Sequence, residues 1–324
     1  MTQPDASPDL VTLGETMVLF LAEQAGPLRE AVTFRRHIGG AEANVAVGLC
    51  RLGHTAGWIS RVGQDDLGQA ILFRLRGEGV DLTQTRVDAE APTGVMFRER
   101  REVGPINVAY YRGGSAASRL SPADLDEAYI RGARVLHLTG ITPALSASCR
   151  AATFAAAEIA RAAGVTIVLD PNLRLKLWSL DEARATLREL VARADIVLPG
   201  ADEAEMLTGT ADPEAAARAL LALGPTAVVV KTGAQGCLAV TTTGVTHAQA
   251  TPVARVVDPV GAGDAFAAGF HAGRLRGMSL HDTLLLANRC GAAAMTVDGD
   301  MEGFPSWADV ASATAAAPLR DVQR

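Results

Sequence analysis

Short runs of β-branched and aliphatic residues alternate along the chain with longer segments rich in Ala, Leu and Arg. The runs are Leu10 to Leu13, Gly57 to Val62, Arg134 to Thr139, Val165 to Asp170, Asp195 to Leu198 and Thr226 to Lys231. Between them, apolar positions recur at helical spacing over Ala41 to Leu52, Asp65 to Arg76, Ser146 to Ala163, Leu180 to Arg193, Pro213 to Leu223, Gly263 to Arg276 and Leu280 to Val297. Runs such as Ile167-Val168-Leu169 and Val228-Val229-Val230 are apolar without alternation, as strands are when helices cover both faces. The pattern predicts parallel strand–helix–strand units and a doubly wound α/β core.

Two stretches break that rhythm. Ala31 to Ile38 and Gly94 to Arg112 mix β-formers with Arg and Glu, and the second reads as two strands joined by a turn at Gly104-Pro105. They predict a small half-exposed sheet outside the main core. Five arginines between Thr93 and Arg119 (Arg98, Arg100, Arg101, Arg112, Arg119) face two glutamates there, so this flap is expected to be locally positive.

Composition narrows the classes. A chain of 324 residues admits one large domain or two modest ones, and 48% hydrophobic with 20% charged residues excludes disorder as a whole-chain account. The formal charge of -6 argues against a broad nucleic-acid footprint, which needs a basic stripe to displace counterions. Cys50, Cys149, Cys237 and Cys290 show neither paired spacing nor companion histidines and read as buried free thiols. The longest uncharged stretch, Thr232 to Ala254, is too rich in Thr, Gly and Gln for a membrane helix. No basic residue precedes Arg29 and no secretory core is present, so a cytoplasmic protein is expected.

The most informative segment is Asp258-Pro-Val-Gly-Ala-Gly-Asp264, which runs straight into a helix. Backbone N–H groups of Gly261, Ala262 and Gly263 would converge with the helix dipole on one point suited to an anionic oxygen. Asp264, in the first helical turn, would then be a base beside an anion hole, as needed to deprotonate a hydroxyl while charge develops on a phosphoryl group. An Asp at that position can equally be a helix cap, and for an isolated Gly-x-Gly-Asp the two readings are level. Walker, Rossmann and nucleophile-elbow spellings are all missing. A second glycine site, Gly39-Gly40, precedes a helix that carries Asn44 on its first turn, so Gly40 and Asn44 could hold ligand hydroxyls or simply form a strand-to-helix turn. Two more loops follow strand ends: Asp170 to Arg174, where Arg174 could clamp a carboxylate, and Lys231 to Gly236.

With Gly39-Gly40-Ala41-Glu42-Ala43-Asn44-Val45-Ala46 early and Asp258 to Phe270 late, the chain resembles the ribokinase-like (PfkB) family of carbohydrate kinases over nearly its whole length. The resemblance implies a ribokinase-like three-layer α/β/α sandwich spanning 1–324 as one domain, with a small β-sheet lid near 14–38 and 93–114. It implies ATP-dependent phosphorylation of a sugar hydroxyl, with Mg²⁺ carried on the nucleotide. Pro92-Thr93-Gly94, Tyr110 to Ser118, Leu136 to Thr142 and Asp170 to Arg174 look most like the kinases of 2-keto-3-deoxygluconate, a sugar acid. By resemblance, Asp264 is the general base and Gly261, Ala262 and Gly263 form the anion hole. Gly40, Asn44, Tyr110, Arg112, Arg174 and Asp300 line the sugar site. Lys231, Thr232, Gly233, Gly236 and Asn288 border the nucleotide. Glu203 ends the family's Asn-x-x-Glu motif and would act on Mg²⁺ indirectly, because Gly200 replaces the Asn; Met96 stands where Tyr is common. Asp258 and nearby carbonyls are offered to a monovalent cation, and an exposed lid edge to a second copy of the chain. A fructokinase or another PfkB sugar kinase, and more remotely a non-catalytic sugar or nucleotide sensor, are the alternatives.

Overall fold

The computed structural model describes residues 7–101 and 106–311. The turn expected at Gly104-Pro105 and most of the Ala-rich tail at 311–317 lie outside the described residues. Thirteen strands are formed by the described chain: β1 Leu10–Leu13, β2 Met17–Ala25, β3 Phe34–Gly39, β4 Ala56–Gly63, β5 Thr85–Asp88, β6 Val95–Arg100, β7 Val108–Tyr111, β8 Val135–Thr139, β9 Thr166–Asp170, β10 Ile196–Val197, β11 Ala227–Lys231, β12 Cys237–Thr241 and β13 Gly244–Ala248. Nine build one sheet in the order β13-β12-β11-β10-β9-β8-β1-β4-β5, parallel from β11 to β5. The other four form the small sheet β3-β2-β6-β7, with β2 and β6 parallel at its centre.

Strand alternation sorts the core into two layers. Leu10, Trp58, Val168 and Val229 pack with helices Ala41–Arg51, Asp66–Gly77, Ala262–Leu275 and Leu280–Ala294. Val11, Ile59, Ile167, Leu169, Val228 and Val230 point the other way, onto helices Ala147–Ala163, Leu180–Val191, Ala201–Thr208 and Pro213–Leu221. The apolar runs without alternation are therefore apolar because both of their faces are buried, which makes the fold the expected α/β/α sandwich with a small sheet. Helix starts follow from local chemistry: Asp65, Ser146, Asp212 and Ser279 each accept a hydrogen bond from a first-turn N–H at 2.7–3.1 Å.

Two expectations need correction, and one hairpin is an addition. The tract from Thr232, read from the sequence only as unfit for a membrane helix, contains the β12–β13 hairpin, with β12 antiparallel to β11. Thr and Val suit a sheet edge with one solvated face, and that propensity outweighs the lack of a long apolar run. The helix expected to reach Val297 stops at Ala294, because the Met295 carbonyl accepts from the Val257 and Asp258 N–H groups. Cys50 is half-buried, while Cys149, Cys237 and Cys290 are buried; all are free. No helix among the described residues is long and apolar enough to cross a membrane.

Sheet order reverses direction between β8 and β1, and side chains from loops at the carboxyl ends of the parallel strands converge there. Helix Ala262–Leu275, which begins at that edge, is anchored by the buried Phe270. Phe270→Ala is expected to cost about 3–5 kcal/mol of unfolding free energy, the usual loss for a buried Phe truncated in a core. Equilibrium denaturation of the two proteins measures it.

Candidate active site

Gly261 opens helix Ala262–Leu275 with φ +80°, and a Cβ on it would lie 1.9 Å from the Asp300 carbonyl oxygen. Only glycine meets both conditions. The turn therefore presents the N–H groups of Ala262 and Gly263 at the amino end of a 14-residue helix, where the dipole favours an anion. Asp264 follows in the first turn. Its Oδ2 accepts a hydrogen bond of 2.8 Å from Asn44 Nδ2, and Asn44 Oδ1 reaches back toward the Gly40 N–H at 3.5 Å. Asn44 thus orients Asp264, an employment that the sequence reading, which gave it to ligand hydroxyls, did not foresee. Burial pushes the Asp264 carboxyl up to about 7, the negative charges of Asp170 and Asp300 adding to it, while the Asn44 hydrogen bond and Arg174 pull it back.

Gly40 sits beneath the same point, and its absent side chain lets the chain pass 2.2 Å, from an ideal Cβ position, to the Glu15 carbonyl oxygen. Asp300 is buried, with its Oδ2 against Gly39. Burial raises its carboxyl to about 6, with Asp258 and Glu302 adding to the shift and Arg98 opposing it.

Lys231, at the end of β11, donates to Asp170 Oδ2 at 2.7 Å, and its Nζ lies 3.7 Å from the position a Cβ on Gly263 would take. Burial works against its charge, yet the Asp170, Glu203 and Asp264 carboxylates outweigh that and hold the ammonium above its ordinary value. A cation therefore faces the anion turn, a more central place than the nucleotide border expected for it. Glu203 spends both oxygens on backbone N–H groups, Leu173 at 2.7 Å and Gly200 at 2.8 Å. It ties the Asp170–Arg174 loop to helix Ala201–Thr208. That loop also holds buried Asn172 at φ +37°, with its side-chain oxygen unpartnered. Arg174 is exposed, and its guanidinium has no partner among the described residues.

On the small sheet, Tyr110 lies 5.6 Å from the Arg112 guanidinium and 5.8 Å from Lys176 Nζ, measured to its ring centre. The expected positive flap is corrected by its pairings. Arg112 bonds the buried Glu15 at 2.6 Å, Arg100 bonds Asp298, Arg101 bonds Glu99, Arg119 bonds Asp88 and Glu90, and buried Arg98 bonds Asp258 and Asp300. The flap's charge is neutralised chiefly by carboxylates from other segments, at the covered Arg98 and Arg112 as well as at the more exposed Arg100 and Arg119. Arg174 is left without a partner among the described residues and Lys176 donates to the Val108 carbonyl at 3.2 Å; Lys176 was not singled out from the sequence. Nor were Glu15 and Asp170, although both follow strand ends, the place in such sheets where ligands bind.

Thr232, Gly233 and Gly236 form a tight loop closed by a hydrogen bond from Thr232 Oγ1 to the Gly236 carbonyl at 2.9 Å. Gly233 and Gly236 take positive φ, +59° and +94°. Buried Asn288 donates to the Ala248 and Gln249 carbonyls, fixing the strand that leaves the hairpin. Between these parts lies a cavity of about 600 Å³ lined by Thr232, Gln235, Leu238, His247, His281 and Leu285.

A carboxylate raised toward neutrality, an anion turn with a facing cation and an adjoining cavity suit phosphoryl transfer to an alcohol group. The model of the pfkB family carbohydrate kinases matches residues 7–307, and the chain belongs to that family. It is 43% identical over 307 residues to a 2-dehydro-3-deoxygluconokinase of Bacillus subtilis (strain 168), covering 94% of each chain. A 2-dehydro-3-deoxygluconokinase of Thermoproteus tenax is 39% identical, covering 93% of each. Among solved structures, a ribokinase II-type chain of E. coli in complex with ATP and Mg²⁺ superposes with a TM-score of 0.88 at 31% identity, covering 94% of this chain and 98% of that one.

A base must be ionised to accept a proton, so kcat/KM should fall as pH drops through about 7. Asn44→Ala removes the hydrogen bond that pulls the Asp264 carboxyl down, and its acid limb should lie at higher pH than the parent's. PH–rate profiles of both proteins measure the shift.

Proposed function

We propose that this kinase transfers the γ-phosphoryl group of ATP to a hydroxyl of 2-keto-3-deoxygluconate, the substrate in the names of its B. subtilis and T. tenax relatives. The observation that carries the phosphoryl-transfer part is Asp264, half-buried beside the Gly261–Gly263 turn with Lys231 opposite. Asp264 takes the hydroxyl proton; the N–H groups of the turn and the Lys231 ammonium hold the charge that develops on the transferring group. Thr232, Gly233, Gly236 and Asn288 shape the cavity for the nucleotide.

The donor set fits Mg²⁺ that arrives on the phosphates. Both oxygens of Glu203 are already occupied, and no group of three or more His, Cys, Asp or Glu among the described residues could hold a metal ion. When bound, Mg²⁺ neutralises phosphate charge, and Glu203 contributes by fixing the loop and adding negative potential nearby.

The sugar acid is favoured over a neutral hexose by Arg174, whose free guanidinium interacts with Asp264 and can take a carboxylate in a two-pronged bond. Tyr110, Arg112, Gly40 and Asp300 frame the remaining sugar contacts. On this reading the small sheet is the lid of one kinase domain, closing to keep water from the phosphoryl group. We propose that the enzyme works in the cytoplasm.

Asp264→Asn should lower kcat by about 10²- to 10⁴-fold, the span of a lost general base. Because ionised Asp264 is disfavoured in the fold and its penalty is complete above about 7, the same variant should melt higher than the parent at alkaline pH. Coupled ADP release and thermal melts read both. In a substrate panel, Arg174→Ala should damage turnover of the keto-deoxy acid far more than that of fructose, and equal parental turnover of fructose and the acid would defeat the sugar-acid reading.

A second copy of the chain is the proposed partner of the outer face of the small sheet. Phe97 stacks on Phe20 at 5.2 Å and meets Phe34 and Tyr111 edge-on, leaving Tyr111 68% exposed. Sedimentation velocity should show an oligomer that Tyr111→Glu weakens; a parent that stays monomeric at all concentrations would overturn this pairing.

A further inference from the structure

Arg98 belongs to β6 of the small sheet, yet its side chain ends inside the main site, 3% exposed. One amino group donates to Asp258 and the other to Asp300 Oδ1 at 3.2 Å. Asp258 opens the segment that becomes the anion turn. The Gly299 N–H donates to the same oxygen as Arg98 and the Val260 N–H to the other, both at 3.1 Å. The carboxylate that the family resemblance offers to a monovalent cation is therefore already paired with a guanidinium that never loses its charge, and a cation would have to share it against that repulsion. Asp258 does not fit the ion. The Asp300 carbonyl oxygen in turn lies 1.9 Å from where a Cβ on Gly261 would stand, so the two backbones pass closely.

The geometry points to Arg98 as a positioning residue for the phosphoryl transfer proposed above: its guanidinium stands in for a monovalent cation, and it makes the setting of the anion turn depend on where the small sheet stands. This inference rests on the kinase reading for its kinetic consequences. The mechanical argument is independent of it. One side chain from the small sheet holds two segments, 258–260, which leads into the turn, and 298–302, which packs against it. Moving β6 away without them leaves two carboxylates buried without a counter-charge, an arrangement far costlier than moving all three together. Sheet and turn consequently travel as a unit.

The test compares the parent, Arg98→Ala and Arg98→Lys as full chains in tetramethylammonium buffer, with and without KCl, and follows hydrogen exchange of amides 260–263 in the unliganded proteins. The parent's kcat is expected to be indifferent to KCl. Arg98→Ala should lose about 10²-fold in kcat, the scale of an ångström-sized misplacement, with KM for ATP unchanged. Dilute guanidinium should restore part of that loss, Arg98→Lys should fall between the other two, and exchange at 260–263 should quicken in the order parent, Lys, Ala. Strong KCl activation of the parent, or parental kcat in Arg98→Ala, overturns the proposal. If the parent turns over no sugar acid, the substrate reading fails, and exchange still decides the latch: unchanged rates in the variants overturn it. Should Arg98→Ala fail to fold, Arg98→Lys carries both measurements.

Discussion

The site has to receive a highly charged anion at a place where acid is already concentrated. Asp170, Asp258, Asp264, Asp300, Glu15 and Glu203 all lie close to the carboxyl edge of the sheet, and most of them are buried. Such a cluster is tolerable only because each carboxylate is matched: Asp170 by Lys231, Asp258 and Asp300 by Arg98, Glu15 by Arg112, Glu203 by two backbone N–H groups. Asp264 is the exception, satisfied by the neutral amide of Asn44 alone. Burial, with the nearby negative charges of Asp170 and Asp300, lifts its affinity for a proton, and the Asn44 hydrogen bond offsets only part of that.

Much of this was legible in the sequence. The parallel strands were visible because both faces are apolar, and the anion turn because Gly261 and Asp264 sit at a fixed spacing on a helix start. The small sheet was visible as a break in the rhythm. What could not be read was pairing across long separations. Arg98 looks like any surface arginine in a mixed strand, and Arg112 was read only toward the sugar; the fold alone brings Asp258 and Asp300 to the one and Glu15 to the other from segments far along the chain. The flap's net charge was thus misjudged even though its arginines were counted correctly. The β12–β13 hairpin was missed for a different reason: an edge element is under weaker demand for apolar residues, so its pattern is faint.

Small residues set the distances at which these charges meet. Gly39, Gly40 and Gly261 allow three loops to pass with main chains in contact, and a single methyl at any of them would strike a carboxylate or carbonyl oxygen. Close approach, rather than turn flexibility, is their common requirement.

The hairpin at the far end of the nine-stranded sheet separates two jobs. The 600 Å³ cavity rests on β12, β13 and the Thr232–Gly236 loop, whereas Gly40, Tyr110 and Arg112 sit on or beside strands of the small sheet and Arg174 follows β9. The two groups share little beyond Lys231 and the anion turn. On the proposed assignment of the cavity to the nucleotide and the small sheet to the sugar, the two preferences can drift independently in descendants of this chain, since a substitution in the hairpin leaves the small sheet untouched.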